Sequence, residues 1–516
     1  MKISSSTPLV KFAKRWLSSS LIAALCAIPI AIAPTSGLAQ FKSDLPNLGD
    51  TERGELSPLA ERKIGDEIMQ QIRLDPDYLD DPPVLEYLNR IGNGLLDKYP
   101  EARGETGNDF SFFAVRDSSL NAFALPGGYV GLFSALILTT QTESELASVI
   151  AHEIGHVTQR HIARSMGAQK QDLLIPLASI ALAALAARSS PDAAQAIAMG
   201  GMGIAVQRQL NFSREVEREA DRIGFQILGA SGYDPSGMTV FFGRMQTAAR
   251  GYSDTTPSYL RTHPMTTERI ADIQARIRNQ RYRQRADSLD YHLIKARIRV
   301  LQDDTTHGLI EATRAFQDQL EIKSKMLTIS AKYGLALVAL KRGEHAKAQS
   351  LLQQARKDAR DSLPTSRNPI FTSFSIDIRM AAGQTADAVK EANRAREIFP
   401  LSRGIALQYA AALMANAQYD EAANYLRDQT QNYRQESQLH HQLAKAYSAQ
   451  GKKALMHLAL AEGYGISGSL SSALEQLSMA RRAPDVTFYD HSVIDARERE
   501  WQALRREQLK DGKKPK

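Results

Sequence analysis

Two histidines and a glutamate in the segment His152-Glu153-Ile154-Gly155-His156 have the types and spacing of a metal site. On a helix, residues i and i+4 lie on one face, so the imidazoles of His152 and His156 can bind the same ion. Glu153 follows the first histidine and would reach a water molecule on that ion. Zinc lowers the pKa of such a water towards about 7, and the carboxylate takes its proton as the water attacks a peptide carbonyl. The spacing therefore predicts a zinc centre for peptide hydrolysis; two surface histidines on an ordinary helix are the alternative.

A catalytic zinc ion usually has a third protein ligand and an open position for water. His161 is not a candidate, because five residues after the second histidine we expect it to point off the metal face and to be structural. Residues 213–221, SREVEREAD, predict a second helix on which Glu217 and Asp221 share a face. One of these could bind the ion while the other orients a ligand histidine. Spacing alone does not choose between Glu217 and Glu219, and a solvated run of charges is the alternative for this segment.

The elements around these residues predict a mixed fold in which helices dominate. Thr142, with Glu145 three residues later, has the spacing of a capping box, and the apolar pattern of the metal helix continues to about Met166. Upstream, residues 60–96 have helical spacing that a Pro-Pro pair breaks into two helices. Two strands are predicted between residues 110 and 132, the second interrupted by a Pro-Gly-Gly turn. The metal helix is therefore expected beside a small sheet.

An apolar stretch separates the two segments of the metal site. Residues 173–187 carry no charge, and residues 193–206 are also apolar. A 15-residue helix is only about 22 Å long, which is short of the roughly 30 Å hydrocarbon core of a membrane. The stretch predicts core helices or, alternatively, an apolar hairpin that covers the active site or makes a peripheral contact with a membrane.

Residues 1–39 have the three parts of a secretory signal. A basic segment ends at Arg15, residues 21–33 are apolar, and small residues precede a cleavage site before Gln40. Thirteen apolar residues are too few for a membrane span of about 20; a retained anchor is the alternative. Removing the segment lowers the formal net charge from +7 to +3, which argues against a nucleic-acid-binding protein. It also removes Cys26, the only cysteine, so thiol catalysis and cysteine-bound zinc are excluded in the mature chain.

The C-terminal part of the chain shows repeated helix pairs without strand patterns. Gly383, Ala417 and Gly451 recur at equal intervals, where a tight turn between paired helices requires a small residue. Ala388 and Ala422 follow five residues later, where the second helix packs on the first. The interval matches the period of about 34 residues that is typical of tetratricopeptide repeats. An irregular helical bundle is the alternative, and the phase of the repeat breaks after Gly451.

These features together resemble a known family of metalloproteases. His152 and His156, followed roughly sixty residues later by Ser-Arg-x-x-Glu-x-x-Ala-Asp, are similar to the motifs of the family that contains the membrane protease HtpX and the CAAX prenyl endopeptidases. The order of signal peptide, protease domain and repeats resembles the soluble periplasmic BepA-like branch, over nearly all of the mature chain. The resemblance implies that His152, His156 and Glu217 bind one zinc ion. It makes Glu153 the general base and Asp221 the partner of a ligand histidine.

Two further segments match the BepA-like pattern. The resemblance implies that His263, in the segment Arg-Thr-His-Pro-Met, can occupy the fourth position on zinc and hold the protease inactive until its loop moves. An unremarkable loop histidine is the alternative. Asn121, Ala122, Phe123 and Ala124 match a segment that lies near the active site in this family. An edge strand beside the metal helix could pair with an extended substrate through main-chain hydrogen bonds; a buried hairpin is the alternative.

The sequence thus predicts an α+β, mostly helical, zincin-like metalloprotease domain followed by an all-α tetratricopeptide-repeat solenoid. The expected segments are a signal peptide (1–39), an N-terminal arm (40–60), the protease domain (61–285), the repeat domain (286–485) and a C-terminal helix with a basic tail (486–516). The expected enzyme is a periplasmic zinc endopeptidase of the HExxH gluzincin type. By resemblance it degrades misfolded or stalled outer-membrane β-barrel proteins and assists their assembly, with the barrel-assembly machinery as a partner of the repeats. A chaperone-like assembly factor acting mainly through its repeats is the alternative.

Overall fold

The computed structural model describes residues 57–104, 109–167, 214–250, 258–278, 285–362 and 367–510. All of these residues belong to one compact unit. Several sequence predictions lie outside the described residues: the signal peptide, most of the N-terminal arm, the apolar stretch 173–206 and the end of the basic tail, 511–516.

The first half of the described chain combines helices with short strands. Its helices are α1 (Pro58–Leu74), α2 (Pro82–Lys98), α3 (Ser134–Thr139), α4 (Glu143–Thr158), α5 (His161–Gly167), α6 (Arg214–Ser231), α7 (Ser236–Arg250), α8 (Ser258–Thr262) and α9 (Thr267–Arg278). Its strands are β1 (Ser111–Val115), β2 (Ala122–Leu125) and β3 (Tyr129–Phe133). The Pro-Pro pair opens α2, since proline is tolerated in the first turn of a helix.

The three strands form one mixed sheet in the order β1-β3-β2. β1 runs parallel to β3, and β2 pairs antiparallel with β3, with Phe123 opposite Gly131. The turn between β2 and β3 contains Gly127 and Gly128, both with positive φ, and a Cβ on Gly128 would lie 2.5 Å from the carbonyl oxygen of Asp109. The first predicted strand is present as β1, and the second is divided at the Pro-Gly-Gly turn into the antiparallel strands β2 and β3. β2 lies at an edge of the sheet.

The helix that carries the metal motif, α4, is buried along most of its length. The Thr142 side chain accepts the backbone N–H of Glu145 at 3.2 Å, as the capping-box spacing predicts. The Glu145 carboxylate accepts the backbone N–H of Gln141 at 2.6 Å and is ion-paired with Arg244 of α7. The start of α4 is therefore fixed by a local cap and by a tertiary ion pair.

The end of α4 differs from the expected continuous helix to about Met166. The helix ends at Thr158, and a separate helix begins at His161. Arg160, between them, has a φ of 52° in the left-handed region, which is costly for a residue with a Cβ. Its guanidinium is ion-paired with Glu61 of α1. This contact between distant parts of the chain stabilises a change of direction that the local sequence does not signal.

Helices α4 and α6 pack closely because small residues lie at their contact. A Cβ on Gly155 would lie 2.8 Å from the carbonyl oxygen of Ala220, and one on Gly224 would lie 3.1 Å from the backbone nitrogen of His152. A larger residue at either position would push the helices apart. The close approach brings the polar side chains of α6 up to the metal motif on α4.

From residue 289 onwards the described chain is entirely helical. The helices are α10 (Leu289–Gln302), α11 (Thr306–Glu321), α12 (Lys325–Lys341), α13 (His345–Ser362), α14 (Pro369–Ala381), α15 (Thr385–Ile398), α16 (Arg403–Ala415), α17 (Tyr419–Asn432), α18 (Ser437–Ala449), α19 (Lys453–Ile466), α20 (Leu470–Arg481) and α21 (Phe488–Lys510). The predicted mostly helical domain and all-helical C-terminal region are both confirmed.

The predicted turn positions lie between paired helices. Gly383, Ala417 and Gly451 separate α14 from α15, α16 from α17 and α18 from α19, and their φ values are 72°, 59° and 74°. Ala388 and Ala422 are fully buried at the start of the second helix of their pairs. α14, α16 and α18 begin at residues 369, 403 and 437, so the helix pairs themselves repeat at the same interval as the turn residues.

A buried ion pair connects the C-terminal helices to the sheet region. Arg297 of α10 donates to Asp81, before α2, at 2.7 Å and to the hydroxyl of Tyr333 at 3.1 Å. The largest hydrophobic core likewise runs from Leu79 to Ile378 without a break at the predicted domain boundary. Within the described residues, no helix is both long enough and apolar enough to cross a membrane.

Candidate metal centre

The two motif histidines lie side by side in the protein interior. His152 and His156 project from the same face of α4, and their Nε2 atoms are 3.1 Å apart. The two side chains are 0% and 1% exposed. Two imidazole nitrogens held together away from water are arranged as ligands of one ion.

Two further side chains complete the cluster from other elements. Glu217 of α6 contacts both histidines: its Oε2 lies 3.5 Å from Nε2 of His152, and its Oε1 lies 3.5 Å from Nε2 of His156. His263, directly after α8, places Nδ1 3.1 Å from Oε1 of Glu217. One ligand atom from each of the four residues lies within 4.8 Å of all the others. The structure therefore brings together all four residues that the resemblance assigns to the metal.

The carboxylate of Glu153 lies beside this cluster. The residue is completely buried, and neither of its oxygens has a hydrogen-bond partner among the described residues. A longer contact, 3.7 Å, joins Oε1 to Nε2 of His263. Burial raises the pKa of Glu153, and the nearby histidines oppose that rise. Because an unpartnered buried carboxylate is costly, this part of the site is complete only with a further group such as water.

Asp221 and Arg269 support the cluster from behind. Oδ1 of Asp221 lies 3.0 Å from Nδ1 of His152, and Arg269 donates two hydrogen bonds to Asp221, at 2.6 and 2.8 Å. Arg269 is also 2.8 Å from Glu217. Burial opposes ionisation of all these groups, but the contacts among them outweigh it. They lower the pKa of Asp221 and Glu217 and raise the pKa of His152 to about 9. The network holds His152 with Nε2 directed at the cluster.

His161 contacts the second motif histidine, whereas the sequence led us to expect it to point away. Its Nδ1 lies 2.9 Å from Nδ1 of His156, and its Nε2 lies 3.1 Å from Oε2 of Glu219. Arg164 donates to the same carboxylate oxygen at 3.0 Å. Burial lowers the pKa of both histidines, so both act as neutral rings with one N–H each.

Only one placement of protons satisfies this chain of contacts. With Nε2 of His156 directed at the cluster as an acceptor, its proton lies on Nδ1 and is donated to Nδ1 of His161. The proton of His161 then lies on Nε2 and is donated to Glu219. Each motif histidine is thus supported by a carboxylate. Asp221 contacts His152 directly, whereas Glu219 supports His156 through His161. The structure also distinguishes Glu217, which faces the cluster, from Glu219, which faces His161.

Two residues of the site were missed by sequence reasoning. Arg269 is six residues after His263 and fully buried, although nothing in its local sequence separates it from a surface arginine. Tyr259 is also buried, its ring centroid lies 4.6 Å from that of His263, and its hydroxyl has no hydrogen-bond partner among the described residues. Both belong to the segment around α8 and α9, whose position is set by packing against α6 and α7.

The expected substrate strand lies next to this centre. β2 contains Ala122, Phe123 and Ala124 and packs against α4, while the backbone N–H of Tyr259 donates to the carbonyl of Leu120 at 2.9 Å. The Oδ1 atom of Asn121 is buried and has no hydrogen-bond partner among the described residues. Asn121 is therefore available to a group that approaches the edge of the sheet.

The donor set fits a single divalent ion of the zinc type. Three imidazole nitrogens and a carboxylate are ligands that such ions accept in four-coordinate sites. Because neither oxygen of the buried Glu153 carboxylate has a hydrogen-bond partner in the described part of the chain, this carboxylate could act as a base beside a bound ion.

Comparisons with known proteins agree with this chemistry. The model of peptidase family M48 matches residues 86–277, which include every residue of the cluster. The beta-barrel assembly-enhancing protease of Escherichia coli is 31% identical over 483 residues, covering 94% of this chain and 96% of that protein. The putative beta-barrel assembly-enhancing protease of Vibrio cholerae is 37% identical over 322 residues, covering 62% of this chain and 64% of that protein. The mitochondrial metalloendopeptidase OMA1 of Schizosaccharomyces pombe is 29% identical over 202 residues, covering 39% of this chain and 55% of that protein. The chain therefore belongs to peptidase family M48 and is a metalloendopeptidase.

Proposed function

We propose that this protein is a periplasmic zinc endopeptidase that degrades misfolded or stalled outer-membrane β-barrel proteins and assists their assembly. The observation that carries the enzymatic part is the buried carboxylate of Glu153, which has no hydrogen-bond partner within the described ranges and lies beside a cluster of three histidines and a glutamate. A site built only to hold a structural ion has no use for such a base. The names of the relatives support the role in β-barrel assembly, and the secretory signal expected at residues 1–39 supports the periplasm.

In this proposal His152, His156 and Glu217 hold one zinc ion. The ion supplies a Lewis acid and an acidic water molecule when it is bound. Glu153 takes the proton of the attacking water and passes it to the leaving amine of the cleaved peptide bond. Asp221 keeps His152 in the tautomer that offers Nε2 as a ligand, because its oxygen lies 3.0 Å from Nδ1.

The substrate binds as an added strand on the outer edge of β2, which pairs only with β3 among the described strands. Main-chain hydrogen bonds with Ala122, Phe123 and Ala124 would select extended, unfolded segments over folded ones. Asn121 accepts one N–H of the substrate through its buried, unpartnered Oδ1. Selection by conformation suits an enzyme that removes proteins which have failed to fold.

His263 acts as a removable fourth ligand that keeps the enzyme inactive. Its side chain is 3% exposed and lies within the ligand cluster. As a fourth ligand it would occupy the position that the attacking water needs. It belongs to a short connection between α8 and α9, so a small movement of that connection would release it. Such self-inhibition would restrict cleavage to circumstances in which a client or partner displaces the loop.

The C-terminal helices form the partner-binding module. Helix pairs that begin at equal intervals, with a left-handed residue in each turn, support the assignment of tetratricopeptide repeats within residues 286–485. The concave face of such a solenoid suits an extended or helical partner, and we assign it to the barrel-assembly machinery and its clients. The protease domain at 61–285 and this module share a continuous core.

The experiment compares cleavage of an unfolded outer-membrane barrel protein by His263→Ala and by the double variant His263→Ala, Glu153→Gln, with zinc content measured in both. We expect the first to cleave and the second to be inactive with equal zinc. Glu215→Gln, the same chemical change at an exposed position of α6, is the matched control and should remain active in the His263→Ala background.

Each part of the proposal can fail separately in this experiment. Equal cleavage by the wild type and His263→Ala would refute self-inhibition. Cleavage by the double variant would remove Glu153 from its role as the base. If neither variant cleaves although both bind zinc, the result would favour the alternative function, a chaperone-like assembly factor that acts through its repeats.

A further inference from the structure

A polar cavity that shares no lining residue with the metal centre lies among the first of the C-terminal helices. It has a volume of about 120 Å³ and is enclosed by α10, α11, α12 and Gln141, which precedes α4. That volume accommodates several water molecules or a small polyatomic ion. Its polar lining consists of Gln141, Tyr291, His292, Lys295, Arg299, Gln319 and Ser330.

Two cationic side chains and no acidic one line this cavity, although Glu145 and Asp287 act on Lys295 from outside its wall. Lys295 and Arg299 lie four residues apart on the same face of α10, and none of the described residues that line the cavity is acidic. Arg299 is partly buried and has no hydrogen-bond or ion-pair partner among the described residues; burial lowers its pKa. Burial and the neighbouring Arg299 lower the pKa of Lys295 to about 8. Two partly buried cations with no acidic residue in the cavity wall make the cavity favourable for an anion.

The acidic groups nearest in sequence to this cavity have other partners. Glu145 is paired with Arg244 and accepts the backbone N–H of Gln141. Asp287 accepts the backbone N–H of Glu143 at 2.8 Å and lies 3.8 Å from His292. Neither carboxylate is placed to neutralise Arg299.

We propose that this cavity binds a small oxoanion between Lys295 and Arg299. The oxygen atoms accept hydrogen bonds from the two cations and from the amides of Gln141 and Gln319, which also line the cavity. A phosphate group and the free carboxylate at the end of a polypeptide share this chemistry. Both present several oxygen acceptors and a negative charge in a volume that the cavity accommodates.

The position of the cavity connects the anion to the metal helix. The ammonium of Lys295 donates to the carbonyl of Thr140, and Gln141 is held by Glu145 in the first turn of α4. An anion that binds Gln141 and Arg299 together therefore bridges the helices α10–α12 and the segment from which α4 starts. Its binding would hold that segment against the C-terminal helices.

Isothermal titration calorimetry on the full mature chain at low ionic strength tests this site. The probes are inorganic phosphate, N-acetyl-leucine and N-acetyl-leucinamide, which lacks the carboxylate. The variants are Arg299→Gln and the matched control Arg314→Gln, an exposed arginine of α11 that has no partner in the described part of the chain. Both variants remove one positive charge from the chain, so a general charge effect would be equal in the two.

We expect saturable binding of phosphate or of N-acetyl-leucine, weakened at least about tenfold by Arg299→Gln because a charged hydrogen bond is lost, and unchanged by Arg314→Gln. Binding of phosphate alone assigns the site to phosphate, and binding of N-acetyl-leucine but not its amide assigns it to the end of a polypeptide. Affinity that Arg299→Gln leaves unchanged would place the anion elsewhere and overturn the proposal. So would the absence of saturable binding by both anions, provided that thermal unfolding shows the chain to be folded.

Discussion

His161 provides a test of how the metal centre is supported, because it binds no metal itself. The change His161→Phe removes the acceptor that lies 2.9 Å from Nδ1 of His156 and keeps a planar ring of similar size. Every proposed ligand remains. A purely structural histidine at this position would affect folding stability and leave metal affinity unaltered.

The expected magnitude follows from the environment of the lost hydrogen bond. His156 is 1% exposed, so its N–H cannot turn to water when His161 is replaced. An unsatisfied buried donor costs about 1–3 kcal/mol. His156 can recover part of this cost by rotating or by changing tautomer, and either change withdraws Nε2 from the ion. We therefore expect zinc affinity to fall by about 10- to 100-fold, the usual effect of losing such a supporting contact.

The assay is zinc competition against a chromophoric chelator, with circular dichroism to establish that each variant is folded. His161→Asn is the rescue variant, because its amide oxygen can accept the proton that Nδ1 of His161 accepts. His440→Phe, at a partly buried histidine of α18 whose pKa burial lowers to about 4, is the matched control. We expect near wild-type affinity for the control and an intermediate value for His161→Asn. Unchanged zinc affinity in a folded His161→Phe protein would refute the supporting role of His161.

Three further predictions concern stability and charge. The change Asp81→Asn keeps the cap of α2 but leaves Arg297 without its closest counter-charge. Urea unfolding should therefore show a free energy of unfolding that is lower by about 3 kcal/mol. A decrease below about 1 kcal/mol would contradict a net stabilising role for this ion pair. Ala417→Gly should increase the free energy of unfolding by about 0.5–1 kcal/mol, because alanine is strained at a φ of 59°, whereas Gly451→Ala should decrease it. The affinity of the oxoanion cavity should fall between pH 7 and 9.5 in calorimetric titrations, because Lys295, with a pKa of about 8, is charged below that pH and neutral above it; a constant affinity would exclude its ammonium from the site.

Much of the metal centre follows from local rules that a sequence expresses directly. The i, i+4 spacing of His152 and His156 places them on one face wherever the helix is found. The cap at Thr142 and the turn residues Gly383 and Gly451 are similarly local, since each depends on the conformation of a few neighbouring residues. These features could be predicted because the interactions that stabilise them lie within a few consecutive residues.

The tertiary structure decided how the remaining side chains of the site are directed, because contacts between distant parts of the chain set their positions. Glu217 and Glu219 are two residues apart on one helix, and only the approach of α6 to α4 directs the first at the histidine cluster and the second at His161. The ion pair between Arg160 and Glu61, 99 residues apart, stabilises the break that turns His161 back towards His156. The sequence by itself determined which residues can bind a metal. Packing between distant helices determined which of them lie close enough to share one ion, because it sets the distances between side chains and excludes water from around them.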